Sequence, residues 1–232
     1  MPLRRALSAL IVILFASALA ACGRQVTPDP TTNNLSNTML VKFRTKAAMD
    51  FTNFNYVIVF NTCSLGGEPY PNVFTTTFTN YSYAFAIGAN FAGSTVQPTL
   101  IQYILTPGTS NQLNPQTVQY NPTTTQFTPN DNGSNNEFTL IFPISQLSNP
   151  LNVPTPCPSG ATQSSTWFIN FFTLDKTSRV QDSLGINGAN DTSFQFSINT
   201  TVSSNNALFR PSGIVLPSNQ AAAIDGGEID TH

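Results

Sequence analysis

The sequence predicts an all-β protein: a single β-sandwich, immunoglobulin-like or jelly-roll-like, of about eight to ten short strands, with a closed barrel as second choice. Three observations carry this reading. Apolar residues alternate with polar ones in many short runs, turn residues separate those runs at fairly even spacing, and no segment of helical length carries a 3.6-residue apolar stripe. With no internal repeat and no linker inside residues 39–216, one domain is the simplest organisation.

The first predicted strand is Met39–Thr45, with Val41, Phe43 and Thr45 on one face and Lys42 and Arg44 on the other. Residues 54–60, Phe-Asn-Tyr-Val-Ile-Val-Phe, form a denser apolar run that suits a central strand buried on both faces. Gly66-Gly67, Pro69 and Pro71 end it, and strands at 73–79 and 81–87 follow. In the second of these Tyr81, Tyr83, Phe85 and Ile87 face Ser82, Ala84 and Ala86, the signature of a strand whose small-residue face is closely covered. Thr99–Leu105 is the next strand. Residues 116–128 read as two weak strands around Asn121-Pro122, at a sheet edge where proline is tolerated. After the turn Asp131-Asn132-Gly133, Glu137–Pro143 points Phe138, Leu140 and Phe142 inward. A loop over 145–165 precedes the second dense run, Thr166–Leu174, in which Trp167 is expected to be core. A turn-rich stretch from Asp175 to Asp191 leads to strands at 193–202 and 208–216. Residues 217–232 are expected to fray.

The N-terminus reads as an address. Arg4-Arg5 precede an apolar run from Ala6 to Ala21, too short for the ~20 residues of a membrane span and followed at once by polar sequence. The run ends in Leu19-Ala20-Ala21-Cys22, which resembles the lipobox of bacterial lipoproteins. The resemblance implies a diacylglycerol on Cys22, cleavage after residue 21 and acylation of the new amine, since stable anchoring takes more than one acyl chain. Gly23 stands where an Asp tends to retain such proteins in the inner membrane, so the resemblance implies the outer membrane if the organism has one. A plain secretory signal that leaves a cysteine near its cut is the alternative. Residues 1–21 are thus a signal peptide, and residues 22–38, rich in Thr, Pro, Asn and Ser, a tether that holds the domain off the bilayer.

Removal of the signal leaves 211 residues with seven basic groups against eleven acidic ones, a balance that suits neither nucleic acid nor an anionic lipid surface. No Lys or Arg lies between Lys46 and Lys176, and neutral polar residues crowd the interval, as fits a cell exterior better than the cytosol. With Cys22 assigned to lipid, Cys63 and Cys157 remain; in an exported chain a pair reads as a disulfide, with two free thiols as the alternative.

The chemistry is defined by what is missing. The only histidine is His232, the last residue, so neither a catalytic triad nor a zinc site has its imidazole, and no phosphate-binding glycine loop occurs. The chain is therefore read as a non-enzyme without cofactor or metal. Asp50, Glu68, Asp131, Glu137, Asp175, Asp182 and Asp191 are the carboxylates from which an acid/base pair would be drawn; Asp131, Asp182 and Asp191 stand beside Asn, Gly or Ser, where short carboxylates cap turns. Residues 130–133 and 182–191 offer clustered oxygens for calcium but lack the twelve-residue loop and its closing Glu. Tyr70, Tyr103 and Tyr120, set among Asn, Gln and Thr in or near loops, are the candidate stacking platforms for a glycan.

The segment Glu137–Leu147, with Trp167-Phe-Ile-Asn-Phe and Asp175, is similar to the latter half of family 9-type carbohydrate-binding sandwiches, over about a fifth of the chain. The first half has no matching aromatic pair, so the resemblance implies the fold and not sugar binding. Expected partners are a membrane through the lipid, and a glycan or another envelope protein. An envelope hydrolase using two carboxylates and an adhesion or assembly subunit are the rival classes.

Overall fold

Alternation decides β1 (Thr38–Thr45): Met39, Val41, Phe43 and Thr45 are fully buried and the residues between them half-exposed, so one face meets a core and the other water. β2 (Phe54–Cys63) shows no alternation, because all ten residues are buried. That is the pattern of a strand covered on both sides. The structure is a computed structural model and describes residues 36–63, 81–88, 96–105, 113–129, 133–148, 157, 162–185, 188, 196–210 and 212–232. Ten more strands follow: β3 (Tyr83–Gly88), β4 (Thr99–Leu105), β5 (Leu113–Val118), β6 (Gln126–Pro129), β7 (Glu137–Pro143), β8 (Gln163–Asp175), β9 (Val180–Ser183), β10 (Phe196–Asn199), β11 (Ser204–Phe209) and β12 (Ile224–Thr231). One helical turn, α1 (Ser145–Ser148), sits between β7 and β8.

The strands form two antiparallel sheets packed face to face, the predicted sandwich. Sheet A has the order β11-β12-β1-β7-β6, and sheet B the order β10-β8-β2-β3-β4-β5, with β9 pairing to the far half of β8. The chain crosses between sheets after β1, β5, β7 and β10. Aromatic rings fill the space between the sheets. Phe43 of sheet A stacks on Phe171 of sheet B at 4.9 Å and meets Tyr56 edge-on at 5.7 Å, while Phe142 lies 4.9 Å from Phe85 and 5.7 Å from Phe60. Offset and edge-on rings are favoured over face-to-face sandwiches and add to the burial of apolar area.

A second, smaller cluster lies on the other face of sheet B: Val57, Val59, Tyr81, Ala84, Ala86, Tyr103, Phe172 and Leu174. Ala84 and Ala86 are 0% and 2% exposed, so the small-residue face of β3 is covered as its sequence predicts, but Tyr81, expected on the opposite face, precedes the strand and packs in the same cluster as the alanines. The two weak strands around Asn121-Pro122 are β5 and β6, which close opposite sheets at their edges; each contains a proline, Pro115 and Pro129.

Three expectations need correction. The sandwich runs to the C-terminus: residues 224–231, expected to fray, form β12, inserted between β1 and β11. Its sequence, Ile-Asp-Gly-Gly-Glu-Ile-Asp-Thr, hides the strand because the glycines are there for close approach. A Cβ on Gly227 would stand 2.1 Å from the Lys42 carbonyl oxygen and 2.6 Å from the Phe171 ring. The strand expected at 208–216 lies at 204–209, where Ser204 and Asn206 bond to Thr231 and Ile229 instead of contributing apolar area. The turn-rich stretch after Asp175 contains β9, which brings the count to twelve among the described residues. The strand expected at 73–79 lies outside those residues.

Candidate functional site

Cys63, at the end of β2, is disulfide-bonded to Cys157 in the connection between α1 and β8, with Cα atoms 5.5 Å apart. This is the predicted bridge, and it pins that long connection to the end of the most buried strand. The cross-link closes a loop whose ends are 94 positions apart, worth about 4 to 5 kcal/mol by the chain-entropy argument.

The candidate tyrosines are not brought together. Tyr70 lies outside the described residues, as does Cys22. Tyr103 is on a strand, not a loop, and is only 1% exposed. The pairing of Ile101 with Ala84 sends the odd-numbered side chains of β4 to the covered face of sheet B. Burial without a compensating charge pushes its phenol far above the ordinary range. A ring buried there is a core residue, and the stacking role expected of Tyr103 is withdrawn. Tyr120 packs partly buried against the inter-sheet core, its ring edge-on to Phe85 at 6.2 Å, and its hydroxyl donates to the Pro98 carbonyl at 2.7 Å. Trp167 is fully buried, as expected, with its indole N–H donating to the Ser164 carbonyl at 2.9 Å.

The described members of the predicted carboxylate set are separately engaged. Asp50 accepts from the amides of Thr52 and Asn53 at 3.1 Å each, closing the turn before β2. Asp175 caps the β8–β9 turn by accepting from the amides of Thr177 and Arg179 at 2.8 and 3.0 Å. Burial alone would raise its carboxyl, but these donors outweigh that effect and hold it below the usual range. Glu137 is buried and accepts from Arg44 Nε at 2.8 Å. Glu68, Asp131 and Asp191, and with them most of the first candidate calcium loop and half of the second, lie outside the described residues.

Asp182 departs from expectation. It does not cap an exposed turn; it sits on β9 with no exposure at all. Both its oxygens take the guanidinium of Arg210, with Nη2 to Oδ1 at 2.7 Å and Nη1 to Oδ2, and Oδ2 also accepts from the Ile224 amide at 2.7 Å. Arg210 Nη1 returns to the Ile224 carbonyl at 2.7 Å. The latch ties the edge of sheet B to the ends of β11 and β12 in sheet A. Its partners are 28 and 42 positions away, which is why the sequence around Asp182 resembles a plain turn.

Among the described residues, the one place where two carboxylates meet is β12, in the segment expected to fray. Glu228 and Asp230, two positions apart, project from the outer face of sheet A. Glu228 accepts from Lys42 Nζ at 2.9 Å and Asn205 Nδ2 at 2.8 Å. Burial opposes its charge, but these donors hold its carboxyl below the usual range. Asp230 is only 7% exposed, and its Oδ1 has no hydrogen-bond partner among the described residues. Burial first, and then the adjacent charge of Glu228, push it up to about 6. The pair therefore holds one proton at mildly acidic pH.

No family model, no curated protein and no solved structure matches the chain.

What these residues can do is therefore read from their own geometry. Glu228 and Asp230 stand two positions apart on one face of a single strand, and Lys42 occupies the first. They do not face one another with room between for a glycosidic bond and its water, the arrangement that two-carboxylate hydrolysis needs. Among the described residues no three His, Cys, Asp or Glu side chains are grouped to hold a metal.

Proposed function

We propose that the chain is a lipid-anchored protein of the bacterial cell envelope whose β-sandwich is a non-catalytic binding or structural module. The observation that carries this reading is Leu19-Ala20-Ala21-Cys22 directly after a charged start and a short apolar run. The Cys63–Cys157 bridge supports it, because disulfides persist in oxidising compartments outside the cytosol. No helix among the described residues is long and apolar enough to cross a membrane; in this reading attachment is through the acyl chains on Cys22. Gly23 favours the outer membrane over the inner. The non-catalytic reading rests on the separate engagement of Asp50, Glu137, Asp175 and Asp182, and on the absence of any histidine before the last residue. Partners are then the membrane and, through the sandwich, a glycan or another envelope protein.

Intact mass of the mature product from a bacterial host tests the anchor. Cleavage before Cys22 with the mass of three acyl chains, or of two with a free amine, is the expected result. A chain that still begins at Met1, or an unmodified thiol at position 22, would overturn it.

A further inference from the structure

We infer that β11 is a docking edge that pairs with β11 of a second copy of this chain, joining two A sheets into one. β11 is the outermost strand of sheet A, bonded on one side to β12. Donation from Arg210 N–H to the Asp225 carbonyl and from His232 N–H to the Thr38 carbonyl fixes the alternation. Odd residues of β12 bond to β11 and even ones to β1, so the even residues of β11 are spent on β12. The amides and carbonyls of Asn205, Ala207 and Phe209 therefore point away from the sheet.

Other edges are blunted, and this one is not. Among the described strands β5 and β6 each carry a proline, and β9 and β10 are four residues long. β11, Ser-Asn-Asn-Ala-Leu-Phe, has six residues with no proline and no charge, lacking the guards that usually keep an edge single. It also shows a large apolar ring. Phe209 is 78% exposed, and its in-register neighbour Gly226 gives the ring no side chain to lean on.

The partner chemistry follows from register. An antiparallel pair with its two-fold axis at Ala207 sets Ala207 against Ala207 of the second copy and Phe209 against Asn205 of the second copy. Those three positions have no outward backbone partner among the described residues, so about six inter-copy hydrogen bonds form. Phe209 then covers Asn205, a neutral residue. Across the axis the outer row reads Lys42, Glu228, Ala207 and then the same residues reversed, so each Glu228 stays beside its own Lys42 and like charges are kept apart by two alanines. Arg210, at the end of the strand, is already neutralised by Asp182. An edge without charge repels no second copy of itself. The interface is smaller than the roughly 1,200 Å² of a stable complex, so the expected dissociation constant is on the order of 10 μM.

The full chain, produced in a bacterial host and purified as its mature product in density-matched detergent, gives the test by sedimentation equilibrium. A reversible dimer at tens of micromolar is expected, and Phe209→Lys shifts it at least about tenfold toward monomer with an unchanged Tm. Mild oxidation of Ala207→Cys gives a reducible covalent dimer. Asn205→Cys does not, because its two copies are offset by four residues, about 13 Å along the strands. A wild-type protein monomeric at about 100 μM, equal cross-linking of both cysteine variants, or occupation of the edge by a different protein with no self-pairing would each overturn the proposal. The pairing is independent of the lipid: a product without acyl groups removes the anchor and leaves this test intact.

Discussion

β1 and β2 are both central strands, hydrogen-bonded on both sides, yet they solve opposite problems. β1 alternates, and its three outward cations each meet a different acid: Lys42 with Glu228, Arg44 with Glu137, and, just past the strand, Lys46 with Asp225. β2 carries no charge and buries every residue. The difference teaches that the two sheets are specified differently. Sheet A has one wet face, where a one-residue slip would turn Val41 and Phe43 to water and separate three ion pairs, so pattern and charge set its register together. Sheet B is dry on both faces at its centre, β2 and β3, where no ion pair can help and packing with buried hydrogen bonds such as Thr62–Ser82 must set it.

The sharpest way to break this contrast is a charge on each face. Val59, fully buried on the outer side of sheet B, has no counter-ion near it in the cluster of Val57, Ala84, Tyr103 and Phe172. Val59→Asp is expected to cost more than about 4 kcal/mol, enough to leave the domain largely unfolded at 25 °C by circular dichroism. Leu40→Asp, on the half-exposed face of β1, is expected to leave it folded. Equal losses from the two changes would show that the outer faces do not differ.

Next in size is the latch between the sheets. Asp182→Ala leaves the Arg210 guanidinium, only 5% exposed, without its carboxylate and the Ile224 amide without its acceptor. Removing one partner of a buried pair costs about 3 to 5 kcal/mol, whereas the double change Asp182→Leu with Arg210→Met recovers much of it. Urea unfolding measures both, and a loss below about 1 kcal/mol in the single variant would mean that the pair is not shielded.

What the sequence revealed and what it concealed divide along the same line. Period-two patterning and dense apolar runs located β1, β2, β4, β7 and β8 closely, because those residues face the core directly. β9 and β12 were concealed because their reasons are non-local. Gly226 and Gly227 look like a loop until the Leu208 carbonyl is seen against the first and the Lys42 carbonyl and Phe171 against the second, and Asp182 looks like a turn until Arg210 arrives from 28 residues away. The Glu228–Asp230 pair was lost with β12. One signal was present: Lys42 and Arg44 on the outer face of a strand require acids on a neighbouring strand, and the C-terminal segment is the acid-rich one. Tyr103 was misread because the polar residues near it in sequence are not its neighbours across the sheet.

A smaller effect separates the faces by pH. The carboxyl of Asp230, raised to about 6 by burial and by Glu228, binds its proton more tightly when folded than when unfolded. Its cost is absent below about pH 3, accumulates as the pH rises through the ordinary carboxylate range, and levels off above about pH 7. Asp230→Asn keeps an acceptor for the Asn206 amide and removes the charge. The expected gain is about 1 kcal/mol at pH 7, reduced from the full shift by screening from Lys42 and water, and close to none at about pH 3. A gain that did not change between these pH values would exclude titration as its source.

The smallest expected effect is also the most discriminating. Lys42 and Glu228 are 31% and 23% exposed, so their attraction is largely screened, and Lys42→Ala should cost between about 0.2 and 1 kcal/mol at low salt. Lys42 is one of the donors that hold the Glu228 carboxyl down, so the cost has a direction in pH. It is present where Glu228 is ionised in both folded and unfolded chains and fades as the pH falls through the range in which the folded carboxylate takes up its proton. It also has a direction in salt: at 1 M ionic strength the screening length falls to about 3 Å, and the cost should drop by half or more. Damage done by Val59→Asp comes from desolvation in a dry cluster and should not be relieved by salt. A Lys42→Ala loss indifferent to both pH and salt would mean that Lys42 acts through the packing of its methylene stem along β12, and that packing sets register in sheet A just as it does in sheet B.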